Sequence, residues 1–121
     1  MEAPSWIAQV KIASALTVTA ALWLIAAPFV LGYSSLPAPT ITDVIVGILV
    51  LILAGVRWAG PFQAVGLSWA IVGLGLWLML APFVFGYATV SAPTSNQMAM
   101  GVVIAALGTW SALAAAWGPI G

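Results

Sequence analysis

The chain contains no cysteine and no histidine. Disulfides, thiolate chemistry and imidazole ligation of a metal or haem are therefore excluded. Charge is nearly absent as well: Glu2, Lys11, Asp43 and Arg57 are the only charged side chains among 121 residues, and they sum to zero. A soluble domain carries charge on roughly a quarter of its residues, so these four cannot coat an exterior that faces water. Net neutrality also removes any electrostatic case for nucleic acid or an acidic substrate. The two carboxylates lie in different segments with no evident partner, which argues against paired acid–base catalysis and against an enzyme. No GxGxxG, P-loop or GxSxG pattern occurs.

What the chain has instead is apolar surface: 64% of its residues are hydrophobic and the mean hydropathy is +1.24. Its solvent is lipid. Four apolar stretches, approximately 7–31, 43–59, 65–85 and 97–117, are separated by short segments rich in Pro, Gly, Ser and Thr. At about 1.5 Å per residue they cross or nearly cross a hydrocarbon core of about 30 Å, with the second the shortest. Backbone groups in lipid must bond internally, so the stretches are predicted to be helices of a single membrane domain covering 1–121.

One sentence of the sequence occurs twice. Trp23-Leu24-Ile25-Ala26-Ala27-Pro28-Phe29-Val30-Leu31-Gly32-Tyr33 returns 54 residues later as Trp77-Leu78-Met79-Leu80-Ala81-Pro82-Phe83-Val84-Phe85-Gly86-Tyr87, identical at eight of eleven positions. The same offset carries Ala38-Pro39-Thr40 onto Ala92-Pro93-Thr94 and Gly47 onto Gly101. Repeats over 12–58 and 66–112 follow, and the fold expected is all-α: a four-transmembrane-helix bundle of two tandem parallel helical hairpins. The first apolar stretch is expected to be retained rather than cleaved as a leader, because its near-copy recurs internally at 65–85.

Both interhelical loops open with Gly-Tyr and run into Pro, which stops a helix. They close with Thr40-x-x-Asp43 and Thr94-x-x-Gln97, which read as capping boxes, and this role for Asp43 is weighed above proton or ion handling. Lys11 and Arg57 fall at the same end of such a bundle. The positive-inside rule then places both termini and the 59–64 connection in the cytoplasm, with the Gly-Tyr loops outside.

Three groups of residues are candidates for a role. Pro28 and Pro82 are expected to kink the outer ends of the first and third helices. Aromatic residues gather at both presumed interfaces, with Trp6, Trp58, Phe62, Trp69 and Trp117 at the terminal end. Trp23, Phe29, Tyr33, Trp77, Phe83 and Tyr87 at the loop end are candidates for contact with a partner or with lipid tails. An aromatic belt is weighed above a cleft for a lipid, quinone or pigment tail. Small residues draw one face along the fourth helix at Gly101, Ala105, Gly108, Ala112 and Ala115, with Gly47 and Ala54 as counterparts on the second. These are expected to be helix-packing seams within the chain.

With its Pro-aromatic-Val-x-Gly-Tyr segment, polar turn and short Gly-containing second helix, the chain resembles the SPW-repeat family of bacterial and archaeal membrane proteins. Ala27-Pro28-Phe29 and Ala81-Pro82-Phe83 stand where that family usually has Ser-Pro-Trp, and Asp43 falls where it often begins its second helix. The resemblance implies a four-helix membrane protein and brings no catalytic residue with it. The expectation is an accessory or scaffold subunit of a larger complex, respiratory or photosynthetic for instance, in the bacterial cytoplasmic membrane. Its partners would be lipids and other integral membrane proteins. No cofactor is expected beyond contact with lipid, quinone or carotenoid. A small-molecule or lipophile carrier or channel is the alternative; it calls for a polar lining, and the mid-helix positions offer little beyond Ser14, Thr17, Thr19, Ser68, Thr109 and Ser111.

Overall fold

A computed structural model describes residues 5–59 and 65–117. Among them are four helices and no strand: α1 (Ser5–Val30), α2 (Pro37–Ala59), α3 (Val65–Val84) and α4 (Ser91–Trp117). Glu2, Phe62 and the connection through 60–64 lie outside the described residues, as do the side chains of Trp6, Ala115 and Trp117. Each helix carries a span long and apolar enough to cross a membrane, from 19 residues on α3 to 24 on α1 and α4. Helices α1 and α2 form one hairpin and α3 and α4 the other, and the hairpins close into a ring through α1 against α4 and α2 against α3.

Both second helices begin earlier than the sequence suggested. The amide of Thr40 bonds the Leu36 carbonyl and that of Thr94 bonds the Val90 carbonyl, each at 3.3 Å, which puts Pro37, Pro39 and Pro93 inside the first helical turn. Amides there have no intrahelical acceptor, so proline loses nothing and its fixed φ favours the helix. Reading these prolines as stops therefore placed the starts six residues late, and α2, with 23 residues, is not the shortest helix. The capping boxes fall with that correction. Thr40 and Thr94 instead donate their hydroxyls back to the carbonyls of Tyr33 and Tyr87, at 3.0 Å in both copies.

The two hairpin turns are built alike. Gly32 and Gly86 adopt φ of +85° and +78°, where a side chain would be strained. The next amide, of Tyr33 or Tyr87, turns back to the carbonyl of Pro28 or Pro82 at 2.9 Å, satisfying a carbonyl the helix end leaves open. Pro28 and Pro82 are buried two residues before their helices end. Their missing amides remove the helical bonds that would end on Leu24 and Leu78.

Within each hairpin the helices meet backbone to backbone. A Cβ on Gly101 would lie 2.6 Å from the Gly75 carbonyl oxygen, and one on Gly75 would lie 2.8 Å from both the Ala105 amide and the Gly101 carbonyl oxygen. Gly47 faces Ala21 and Ile25 in the first hairpin as Gly101 faces Gly75 and Met79 in the second; Gly108 is held against Ser68, Ile71 and Val72. Ala54 and Ala112 are fully buried and Ala105 is half-buried. Lipid gives helices no hydrophobic reason to associate, so close approach along such seams supplies the dispersion that holds them. Where the hairpins meet, Ala20, Ala21, Leu24, Val46, Val50, Ala54, Ile71, Leu78 and Ile104 form a continuous apolar centre.

Candidate functional site

Asp43 is the residue the sequence reading placed least well. It sits in the second turn of α2 with its side chain fully buried (0% exposed), turned into the bundle at the end where the Gly-Tyr loops lie. Both carboxylate oxygens accept hydrogen bonds: the Tyr33 hydroxyl donates to Oδ2, and Nε2 of Gln97 donates to Oδ1 at 2.8 Å. Gln97 completes the chain by accepting the Tyr87 hydroxyl on Oε1 at 2.7 Å, while its Nε2 also points to the Pro39 carbonyl at 3.4 Å. Asn96 donates to the Tyr33 oxygen at 3.1 Å and accepts the Trp23 indole N–H at 3.0 Å. Six side chains from both hairpins thus form one network.

The 54-residue offset gives this network its logic. Tyr33 corresponds to Tyr87 and Asp43 to Gln97, and each tyrosine reaches the residue ten positions ahead of it. Equivalent residues that touch each other must lie on the axis relating the two copies. The axis therefore carries an acceptor-only carboxylate opposite an amide that both donates and accepts, a pairing in which every polar atom finds a partner. Burial, with Asp43 beside it, holds the Tyr33 phenol far above its ordinary range, and burial moves Tyr87 the same way. Both phenols stay protonated and remain donors.

A second polar layer lies at the terminal end. Arg57, in the last turn of α2, is also fully buried, and its Nε donates to Ser68 Oγ at 2.9 Å; Ser68 and Ser111 are hydrogen-bonded at 3.0 Å. Asp43 and Arg57 are 14 residues apart on one helix, a rise of about 21 Å. Between them lie Leu24, Val50, Leu78 and Ile104, all fully buried. Arg57 thus lies near the helix end, as the orientation argument has it, but its side chain turns into the bundle rather than outward. Lys11 is half-buried, its ammonium 4.7 Å above the ring of Trp58, so both cations do share one end of the bundle.

A family model, the SPW repeat domain, matches residues 11–111. The chain belongs to the SPW repeat family. No curated protein and no solved structure matches it. Family membership and four spanning-length apolar helices together make this SPW repeat protein an integral membrane protein. At its two triad positions the fold assigns one task to each residue. Ala27 and Ala81 are fully buried, Pro28 and Pro82 are buried at the helix ends, and Phe29 and Phe83 project outward, 64% and 63% exposed.

The other aromatic candidates divide. Trp23 and Trp77 are exposed on matching faces of α1 and α3; Trp77 also meets Phe85 edge-on, with ring centroids 5.8 Å apart. Tyr33 and Tyr87 are not surface residues: both are buried, because their hydroxyls satisfy Asp43 and Gln97, which corrects their reading as partner or lipid contacts. Sequence reasoning also missed Asn96, and took Gln97 and Asp43 for caps. The signal available was a tyrosine in each copy followed ten residues later by a polar side chain inside an apolar run. Among the described residues no group of three or more acidic side chains could hold a metal.

Proposed function

We propose that this SPW repeat protein is a non-catalytic scaffold or accessory subunit of a larger complex in the bacterial cytoplasmic membrane, with both termini cytoplasmic. It acts through contacts of its helix faces with lipids and other membrane proteins. The observation that carries the reading is the apolar layer of Leu24, Val50, Leu78 and Ile104, all fully buried, which among the described residues stands between the Asp43 network and the Arg57 layer. Function then falls to the exterior, where Trp23, Phe29, Trp77 and Phe83 offer matched aromatic surface on two equivalent helices. Extraction in a mild detergent followed by native electrophoresis and mass spectrometry of the bands tests it. Migration with stoichiometric membrane partners is expected; a chain that always migrates alone overturns the reading.

A carrier is the second reading, favoured by Asp43 and Arg57, since ionisable side chains buried in spanning helices commonly mark ion or proton routes. Flux of protons or solute into liposomes holding the purified protein, abolished by Asp43→Asn, would put the carrier in first place.

A further inference from the structure

Between α1 and α2, at the terminal end, a groove of about 280 Å³ opens on the outer surface of the first hairpin, lined by Ala15, Val18, Gly55 and Trp58. Its walls are apolar, and Ala15 and Trp58 are exposed. Lys11 stands one helical turn before Ala15 on the same face of α1, with its ammonium held over the Trp58 ring. From Lys11 to Val18 is seven residues, about 10 Å along the helix, running from the terminal end toward the middle of the span. A cation at the membrane boundary and an apolar trough descending from it reproduce the layout of one phospholipid: charged headgroup above, acyl chain below.

The duplication shows that this groove is not a by-product of the fold. At the equivalent positions the second hairpin has Val65 for Lys11, Trp69 for Ala15, Thr109 for Gly55 and Ala112 for Trp58. An indole and a threonine stand where the first hairpin has a methyl group and a hydrogen, and the cation and its aromatic floor are gone. The first copy differs from the second at four of the five positions, each time toward space, charge or an aromatic wall. Gly55 is not needed for helix packing, since a Cβ there would meet nothing within 4 Å.

We propose that this groove is a binding site for a phospholipid with an anionic headgroup, taken from the leaflet at the terminal end. The acyl chain lies along Ala15, Val18 and Gly55 against the Trp58 ring, and Lys11 pairs with the headgroup phosphate.

The test uses full-length protein stripped of lipid in mild detergent, titrated with phosphatidylglycerol or phosphatidylcholine of identical chains and read by native mass spectrometry. Wild type is expected to hold phosphatidylglycerol about fivefold more tightly, the contribution of one lysine near an anionic surface. Lys11→Gln is expected to remove that preference and Lys11→Arg to keep it. Gly55→Leu, or Ala15→Trp should the first variant fold poorly, fills the trough and weakens both lipids, whereas Thr109→Ala in the second hairpin changes neither. Inorganic phosphate alone is expected to displace nothing. Equal retention of the two lipids by wild type overturns the proposal. So does an unchanged preference in Lys11→Gln, unchanged lipid retention in the filled groove, or displacement by phosphate.

Discussion

The seams within each hairpin and the seam between the hairpins are made of different materials. Inside a hairpin, small residues bring one backbone against another, and the arrangement is written twice, with Gly47 on Ala21 and Ile25 matched by Gly101 on Gly75 and Met79. Between hairpins, polar side chains do the joining at both ends: Asp43 with Gln97 on the axis, Trp23 and Tyr33 with Asn96, Gln9 with Trp110, and Arg57 with Ser68. Close packing is tolerant of what the partner is, provided it is small. Hydrogen bonds in a dry bundle are selective, because a donor without its acceptor carries the full cost of desolvation. The recurring seams make hairpins; the private polar contacts decide how two hairpins join.

The largest effect is expected from making the axis symmetric in the wrong way. Gln97→Asp sets two carboxylates face to face and is expected to destabilise the protein at neutral pH by about 3–5 kcal/mol, the scale of an uncompensated buried charge. Adding Asp43→Gln restores one carboxylate and one amide, exchanged between copies, and should recover most of the loss. Thermal unfolding in detergent measures both, and a double variant no better than the single would show that the network is not a pairwise lock.

Next come the seams. Gly101→Ala is expected to cost about 2–3 kcal/mol and Gly47→Ala nearer 1, although the two glycines are equivalent. The reason is that at Gly101 the new methyl would meet backbone (Gly75 oxygen, 2.6 Å) as well as the Cγ of Met79 (2.5 Å), whereas at Gly47 the contact below 3 Å is with a side-chain atom alone, Cγ1 of Ile25 at 2.6 Å, and backbone is no nearer than 3.2 Å. Val103→Leu, on an exposed face of the same helix, serves as the reference and should be nearly neutral. Equal losses at Gly47 and Gly101 would mean that side-chain freedom does not matter at this seam.

The smallest difference separates the two tyrosines. Tyr33→Phe takes a donor from a carboxylate and is expected to cost roughly 2 kcal/mol, while Tyr87→Phe takes one from a neutral amide oxygen and should cost roughly 1 kcal/mol. Unfolding midpoints of the paired variants, taken in one detergent, check the order. A reversed order would move the weight of the network from Asp43 to Gln97.

The sequence made the scaffold legible through two devices, composition and the 54-residue offset, since length and hydropathy suffice to find a spanning helix and a duplicated stop signal locates each turn. Proline was ambiguous. In Pro37, Pro39 and Pro93 it starts a helix rather than ending one, and only the pattern of amide bonds separates the cases. The polar axis was hidden for a related reason: Asp43 and Gln97 stand three residues after threonines that follow loops, where capping is the ordinary explanation, and with the helices starting six residues earlier the same side chains fall in the second turn, where they are buried. Arg57 was hidden because a cation near a helix end reads as interfacial whichever way it points. Gly75 was visible in principle, as the partner of Ala21 across the offset, but belongs to a helix whose apolar faces look alike in sequence.

A residue on a two-fold axis meets its own image. Had the two hairpins been separate molecules of one kind, the position of Asp43 would have faced another Asp43, and no choice of ionisable side chain there could have been paired with its complement. Covalent fusion removes that restriction: each half of the central contact is encoded on its own, so an acid in one half can be answered by an amide in the other. The link between the hairpins thus does more than raise their local concentration. It permits a heterologous contact at the one place where a homodimer is obliged to be homologous.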